Sequence, residues 1–238
     1  MLGSLIALAM VSQPTTVVMI HGAGGGGWEY DLWKPVFQRA GYRVVAKDLE
    51  PVGSLKETHF EDYLRQVQFW RPAGGKVVLI GASMGGILAL RAAEQEPPAA
   101  IVLINGVPPA GIRPPSTDAP APPTVKWADG PLRDTEFSMP DSDRKTILWA
   151  WKKWRDESGA VLNEIRRGIP AGLPKCPSLV VIGEKDTDIL PVWSRQVAEW
   201  AGSDVRAYRD MSHVGPLLGT RATHVARDII SWLKSKGI

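Results

Sequence analysis

One serine in this chain stands in a sequence pattern typical of an oxygen nucleophile. Ser83 is the middle residue of a Gly-x-Ser-x-Gly pattern that runs from Gly81 to Gly85 and directly follows the apolar residues 77–80. Glycines at these positions allow a sharp turn between a strand and a helix, with the middle residue strained and its hydroxyl pushed outward. The pattern therefore predicts Ser83 as the nucleophile of a covalent reaction.

A serine hydroxyl is a poor nucleophile near neutral pH and needs a positioned base, which in turn needs a carboxylate to orient it. Of the four histidines, His213 lies in a loop directly after the predicted strand 205–208, where its imidazole can reach the serine edge of a sheet. His59 and His224 stand at helix starts, which predicts cap or solvated roles. His21, before a glycine run, is predicted to brace a loop. We therefore expect His213 to be the base.

The acid is expected at a strand end between the serine and the histidine in chain order. The residues that follow the predicted strand 179–182 include Asp186 and Asp188. Asp186 is the first choice and Asp188 the alternative, while Glu184 and Asp210 are weaker candidates. Because aspartates in turns often accept only from nearby backbone amides, pure turn chemistry is a third possibility.

Acyl transfer also requires donors aimed at the developing oxyanion. The amide of Met84, directly after the nucleophile, is one such donor by the geometry of the turn. The second is expected from the glycine run of residues 22–27, because small residues let the main chain approach a substrate closely. Ala23 is the first candidate and Gly24 the next.

The same glycine run supports a competing interpretation. Gly22, Gly24 and Gly27 form a Gly-x-Gly-x-x-Gly pattern after a strand, and Asp48 follows at the spacing of a ribose-binding acid. Taken locally, this pattern indicates NAD binding by a Rossmann-type protein. That interpretation leaves the serine, aspartate and histidine at three separate strand ends unexplained.

Strand and helix patterns alternate along the chain. Apolar runs at 16–20, 42–46, 77–80, 100–104, 179–182 and 205–208 predict strands, and the periods at 32–40, 60–70, 86–94, 194–200 and 223–234 predict helices. An opening strand is also predicted within residues 2–11. Alternation of this kind predicts an α/β fold with a mostly parallel central sheet and helices on both faces.

The alternation fails over residues 106–175. Proline crowds residues 106–123, and a tryptophan-rich helix follows where a strand would be expected. We expect this stretch, called the insertion segment below, to form a helical cap over the carboxyl ends of the strands. Its helix places Ile147, Leu148, Trp151 and Trp154 at helical spacing, which favours a packing stripe that could also roof a pocket. The candidate pocket residues are Gly24, Trp149, Trp151, Trp154 and Trp193.

Composition narrows the functional classes. A chain of 238 residues suits one domain, residues 1–238, and a net charge of +3 without a basic stripe argues against a nucleic-acid partner. The single cysteine, Cys176, excludes an internal disulfide and a cysteine-based metal site. The apolar start is too short to span a membrane and has no leading Lys or Arg, so we expect a cytoplasmic protein. No metal is expected, and the oligomeric state is left open.

With these residues assembled, the chain resembles the α/β-hydrolase superfamily over nearly its whole length. The resemblance rests on four motifs: an oxyanion turn at 21–23, a nucleophile elbow at 81–86, an acid loop at 183–186 and a histidine loop at 212–213. Residues 21–49 are also similar to small-capped plant methylesterases and hydroxynitrile lyases and to related bacterial esterases. The chain departs from many members in having Ala82 before the serine and Ser212 before the histidine.

The resemblance implies a carboxylesterase that cleaves small to medium esters through an acyl-enzyme, with Ser83, His213 and Asp186 as the triad and no cofactor. A hydroxynitrile lyase is the first alternative, with Lys185 as the only nearby lysine candidate. Lactonase, thioesterase and carbon-carbon hydrolase chemistry also remain open. A non-catalytic ligand receptor on the same fold is an alternative of a different class.

Overall fold

A computed structural model describes residues 13–114 and 116–238, so the strand predicted within residues 2–11 lies outside the described part. The described strands are β1 (Thr16–Ile20), β2 (Arg43–Val45), β3 (Val77–Ala82), β4 (Ala100–Ile104), β5 (Thr124–Val125), β6 (Glu157–Ser158), β7 (Ser178–Gly183) and β8 (Asp204–Tyr208). Six of them form a parallel central sheet in the order β2-β1-β3-β4-β7-β8, and β5 and β6 pair antiparallel.

Helices cover both faces of this sheet. They are α1 (Lys34–Arg39), α2 (Phe60–Phe69), α3 (Met84–Gln95), α4 (Leu132–Ser138), α5 (Arg144–Trp151), α6 (Gly159–Arg167), α7 (Pro191–Ala201), α8 (Gly215–Leu218) and α9 (Ala222–Ser235), with a short 3-10 helix at Gly27–Tyr30. Helices α1, α8 and α9 pack on one face, and α2, α3, α6 and α7 pack on the other. The predicted α/β class, with a mostly parallel sheet between helices, is confirmed.

The apolar runs explain why the sheet is covered on both sides. In β1, Val17 and Met19 belong to the core on one face, while Val18 and Ile20 belong to the core on the other. Successive side chains of a strand point to opposite faces, so a continuous apolar run must be buried twice. β1 and β4 have the predicted bounds, and β3 continues to Ala82, which pairs with Ile104.

The strand order creates a crevice at one edge of the sheet. From β1 the chain moves outward to β2 and then returns to β3 on the other side of β1. Ligands of open parallel sheets bind at the carboxyl ends of strands where the order reverses in this way. The glycine run follows β1 and Ser83 follows β3, so both lie at this switch point.

The insertion segment contributes no strand to the central sheet. Its described residues form β5, α4, α5, β6 and α6, and β5 pairs antiparallel with β6. The tryptophan-rich helix expected here is α5, but it ends at Trp151, so Trp154 lies beyond the helix on which it was expected. Across residues 13–114 and 116–238, no helix has the length and apolar character needed to cross a membrane.

Candidate active site

Ser83 occupies a strained turn between β3 and α3. Its backbone angles are φ 51° and ψ −119°, a left-handed conformation that residues other than glycine seldom adopt. Its amide donates to the Ile104 carbonyl at 3.0 Å, which ties the turn to β4. A Cβ atom at Gly81 would overlap the Gly85 carbonyl oxygen, and one at Gly85 would overlap that of Ile20. The two glycines therefore permit the close backbone packing that holds Ser83 in place.

The structure joins His213 to Asp186. The imidazole Nδ1 lies 2.8 Å from Asp186 Oδ2, and both side chains are largely buried. The other carboxylate oxygen of Asp186 accepts from the amides of Asp188 and Ile189, at 2.8 and 2.9 Å. With Nδ1–H donating to the carboxylate, Nε2 is left free to accept a proton. Asp188 is exposed and supplies a backbone amide to Asp186, so its side chain does not pair with the histidine.

The surroundings of His213 set its basicity. Burial lowers the pKa of the imidazole, but the hydrogen bond and negative charge of Asp186, followed by the charges of Asp188 and Glu29, more than offset burial. The net result is a raised pKa. A carboxylate beside the ring favours the cationic form, which is the form that a general base takes after it accepts a proton.

Asn105, at the end of β4, connects the loops that carry the two members of this pair. Its side-chain NH₂ donates to the carbonyls of Ser212 and His213, at 3.2 and 2.7 Å, and its side-chain oxygen accepts from the Gly183 amide at 2.8 Å. Asn105 is fully buried and has φ 43°. Sequence reasoning missed it, although a polar residue directly after an apolar strand was a signal for it.

The end of β4 thus contacts both the turn at Ser83 and the loop that carries His213. Ile104 accepts from the Ser83 amide, and the next residue, Asn105, binds the His213 carbonyl. Within the described residues no hydrogen bond joins the Ser83 hydroxyl to the His213 imidazole. The hydrogen bond that is formed among these three side chains is the one between His213 and Asp186. Catalytic hydrogen bonds are often long before substrate binds.

The predicted oxyanion donors lie beside Ser83. Met84 is the first residue of α3, so its amide has no acceptor within the helix. On the other side, a Cβ atom at Gly22 would lie 3.2 Å from the Ser83 Cβ, which places the glycine run directly against Ser83. Across residues 13–114 and 116–238, no acceptor is bonded to the Ala23 amide. Among the described residues, the amides of Ala23 and Met84 are therefore both without an acceptor.

The side chains of His21 and Asp48 form hydrogen bonds with the backbone of the glycine run. The Nε2 atom of His21 accepts from the Leu49 amide at 2.8 Å, its Nδ1 lies 2.7 Å from the Gly22 carbonyl, and burial lowers its pKa to about 4. His21 is therefore a neutral brace, as its position predicted. Asp48 Oδ1 accepts from the Gly27 amide at 2.7 Å, so the acid that the dinucleotide interpretation assigned to a ribose is bonded to the loop itself.

Comparison with known proteins decides the family. A family model described as "Alpha/beta hydrolase family" matches residues 17–225. The chain belongs to the alpha/beta hydrolase family. The resemblance found in the sequence is thereby confirmed for most of the chain.

Two relatives and one solved structure illustrate this membership. Norfluorocurarine synthase 1 of a Strychnos species is 34% identical over 156 residues, covering 59% of this chain and 58% of that protein. Polyneuridine aldehyde esterase of Rauvolfia serpentina is 37% identical over 97 residues, covering 37% of each chain. A pyrethroid hydrolase from Sphingobium faniae JZ-2 superimposes with a TM-score of 0.73 at 21% identity, over 92% of this chain and 97% of that one. The sequence matches to these two relatives thus span less than two thirds of their lengths, whereas the shared fold extends over nearly the whole chain.

Glu29 is a further buried acid in this alpha/beta hydrolase, and sequence reasoning missed it. Its Oε2 accepts from the Gly22 amide at 3.2 Å, and the side chain lies beneath the glycine run. Burial raises the pKa of Glu29 to about 7, against the lowering effects of the Gly22 hydrogen bond and of His213. No sequence pattern distinguishes this glutamate from a surface residue.

The candidate pocket tryptophans pack in different places. Trp149 and Trp154 both meet the ring of Trp28 edge-on, with centroids 5.3 and 5.0 Å apart. Trp151 donates to the Gly130 carbonyl at 2.7 Å, and Trp193 packs partly buried against the core on the α7 face. Trp149 and Trp154 therefore anchor the insertion segment on the body of the enzyme fold. A contribution of these rings to an acyl pocket stays a prediction.

A cavity of about 590 Å³ lies between two parts of the insertion segment. It is lined by residues 108–114 on one side and by Arg166, Arg167 and Gly168 on the other. None of the five candidate pocket residues lines it. Because the Val107 amide donates to the Ser83 carbonyl at 2.9 Å, this wall begins one residue after a direct contact with the turn at Ser83.

The remaining charged candidates lie at the surface. The Lys185 ammonium is exposed and lies 3.9 Å from Asp210, and Glu184 pairs with Arg195. His59 and His224 are likewise exposed and pair with Glu164 and Asp228. Among the described residues, no three His, Cys, Asp or Glu side chains are arranged to hold a metal ion.

Proposed function

We propose that this alpha/beta hydrolase cleaves carboxylic esters of small to medium size through an acyl-enzyme intermediate. The observation that carries the proposal is the strained turn at Ser83, tied to β4, together with the His213–Asp186 pair that the same strand end holds. Two of the similar proteins also have names that state such an activity, polyneuridine aldehyde esterase and the pyrethroid hydrolase. A serine, a base and an acid that follow three separate strands favour nucleophilic acyl transfer.

In the proposed reaction the Ser83 hydroxyl attacks the ester carbonyl while His213 Nε2 takes its proton. Asp186 holds the imidazole in the tautomer that leaves Nε2 free and stabilises the cation that forms. The amides of Ala23 and Met84 donate to the oxyanion. His213 then returns the proton to the leaving alcohol, and water repeats these steps on the acyl-enzyme to release the acid.

We propose further that residues 106–175 form the cap of the site and shape the acyl pocket. Support comes from contacts of this segment with both sides of the crevice. Trp127 packs on Gly24, and Asp141 accepts from the Ser212 amide and hydroxyl at 3.0 and 2.6 Å. An insertion over the carboxyl edge of a parallel sheet commonly selects the substrate.

The alternatives have less support. Hydroxynitrile lyase chemistry was linked to Lys185, whose ammonium lies at the surface near Asp210. The dinucleotide interpretation needs Asp48, which is bonded to the Gly27 amide. A pure receptor has no need of a strained serine beside a histidine–carboxylate pair. Cyanide release from mandelonitrile is the assay that separates a lyase from an esterase.

A fluorophosphonate probe tests the proposal directly. Wild-type protein is expected to gain one probe mass on Ser83, found by peptide mass spectrometry, and to hydrolyse p-nitrophenyl esters in a panel of increasing acyl length. Ser83→Ala is expected to take up no probe and to lose turnover by at least about 10³-fold.

The matched control is Ser235→Ala, which removes a hydroxyl from the last turn of α9, far along the chain from the crevice. It is expected to keep both labelling and turnover. Wild-type protein that is folded but takes up no probe and cleaves no ester in the panel would reject the esterase proposal. Labelling at a serine other than Ser83 would reject the nucleophile.

A further inference from the structure

The insertion segment binds the glycine run through both polar backbone groups of Gly24. The Gly24 amide donates to Glu157 Oε2 at 2.9 Å, and the Gly24 carbonyl accepts from the Arg155 amide at 2.7 Å. Gly24 has φ +68°, and a Cβ atom there would overlap the ring of Trp127. The turn is thus held at this residue by three groups of the insertion segment.

Glu157 is the buried group among these three. It is 3% exposed, and its other oxygen, Oε1, accepts from the Tyr63 hydroxyl at 2.8 Å and from the Ser158 amide at 2.7 Å. All three partners are donors, so both oxygens of Glu157 serve as acceptors. Burial and the neighbouring Glu157 raise the pKa of Tyr63, so its hydroxyl keeps the proton that it donates. Glu157 therefore links helix α2, strand β6 and the glycine run.

The peptide groups on either side of the Ala23 amide are both fixed by carboxylates. The Gly22 amide donates to Glu29, and the Gly24 amide donates to Glu157. The Ala23 amide between them has no acceptor in the described part of the chain and lies one residue from the Gly22–Ser83 contact. A donor that is free, while its neighbours are immobilised, is preorganised for a charge that appears only during the reaction.

We propose that Glu157 is a positioning residue that sets the orientation of the Ala23 amide from the insertion segment. The segment then completes the oxyanion hole in addition to covering it. This inference rests on the proposed esterase function. Glu157 contacts no reacting atom in this scheme and acts only through the main chain of the turn.

The test variant is Glu157→Gln in the full chain. Glutamine offers one acceptor oxygen where Glu157 offers two, and its NH₂ group would face a donor, so one hydrogen bond of the cluster must break. We expect kcat on p-nitrophenyl esters to fall about 10–100-fold, somewhat less than the loss of a whole oxyanion donor. KM should change less than about threefold, since the ground-state carbonyl needs this donor little. Affinity for a trifluoromethyl ketone, which forms an anionic adduct with the serine, should fall in parallel with kcat/KM.

Ser158→Ala is the matched control. Ser158 is the buried neighbour of Glu157 in β6, and its hydroxyl binds the Thr58 carbonyl and the Val161 amide without touching the glycine run. We expect this variant to lose thermal stability while keeping kcat within about threefold of wild type. If it loses kcat as strongly as Glu157→Gln does, the effect belongs to the insertion segment as a whole and the inference is wrong.

A measurement on the wild-type protein keeps the inference testable should Glu157→Gln fail to fold. Amide exchange followed by NMR should show the Gly24 amide protected and the Ala23 amide unprotected, with protection of Ala23 appearing once the ketone is bound. An unprotected Gly24 amide would overturn the inference, as would a folded Glu157→Gln enzyme with wild-type kcat. Absence of ester turnover and of probe labelling in wild-type protein would instead reject the esterase proposal itself.

Discussion

Replacement of Asn105 by alanine should lower both stability and activity, because one buried amide side chain bonds two loops. Asn105→Ala leaves the Gly183 amide without its acceptor and the Ser212 and His213 carbonyls without their donor. An unpaired buried donor costs about 1–3 kcal/mol, and each lost hydrogen bond costs about 1 kcal/mol more. Alanine also tolerates the φ of 43° less well than asparagine does.

Together these contributions predict a loss of about 3–5 kcal/mol in the free energy of unfolding. Domains of this size lose about 2–4 °C in Tm per kcal/mol, so the Tm should fall by about 6–20 °C. Urea denaturation gives the free energy, and calorimetry gives the Tm. Because the same bonds hold the His213 loop, kcat/KM should also fall about 10–100-fold at 25 °C, where the variant is still folded.

Asn163→Ala is a matched control for this prediction. The side chain of Asn163 also pairs at both ends, with the amide and the carbonyl of Ala121, but it is only partly buried and lies in helix α6. Water can replace those hydrogen bonds, and alanine favours the helix, so we expect a change within about 1 kcal/mol. The reasoning is refuted if Asn105→Ala destabilises the protein by no more than Asn163→Ala does.

Substitutions at three other residues have testable consequences. Asp186→Asn removes the negative charge that raises the pKa of His213 against the effect of burial. The acid limb of the kcat/KM–pH profile should therefore move to lower pH, and kcat should fall about 10³–10⁴-fold. An acid limb that does not move would contradict the assignment of Asp186. Because burial raises the pKa of Glu29 from 4.5 to about 7, the contribution of its proton to stability is complete below pH 4.5 and is lost as the pH rises through about 7. Relative to Glu29→Gln, which keeps an acceptor for the Gly22 amide, wild type should therefore lose about 2–3 kcal/mol of unfolding free energy between pH 5 and 8. A difference independent of pH in urea titrations would count against this. Gly24→Ala should cost at least about tenfold in kcat/KM, whereas Gly202→Ala, at a similar φ of 60° with open space around it, should cost only about 1 kcal/mol of stability; equal activity in the two variants would exclude a tight fit at Gly24.

The sheet and the turn at Ser83 could be predicted because their signals are local. β1 and β4 are apolar runs that are followed by a polar residue, His21 or Asn105, and each is buried on both faces. The glycines around Ser83 mark a turn that no larger residue would permit. In a parallel sheet the carboxyl ends share one edge, so the order of motifs along the chain also predicts which loops are neighbours.

The supporting acids could not be predicted, because their roles depend on contacts far apart in the sequence. Glu157 is 133 residues from the glycine whose amide it binds. Glu29 follows a tryptophan in a short 3-10 helix, and nothing in that stretch indicates complete burial. A glutamate is usually exposed, and only the folded chain shows that these two side chains accept hydrogen bonds in the interior. The tryptophans of α5 show the same limit, since only the fold reveals Trp28 as the partner of Trp149.

The departure from the family pattern at residue 212 has a physical explanation in the insertion segment. Ser212 stands where glycine commonly precedes the histidine, and its hydroxyl and amide both donate to Asp141. Glycine could supply only the amide, so the serine adds a second hydrogen bond between the histidine loop and the insertion segment. Glu157 makes the corresponding contact on the opposite side of the crevice, with the Gly24 amide of the glycine run. Each loop is thus held by one carboxylate of the insertion segment. Exchanging the insertion segment for the cap of a relative should therefore lower kcat as well as change substrate preference, unless Asp141 and Glu157 are kept.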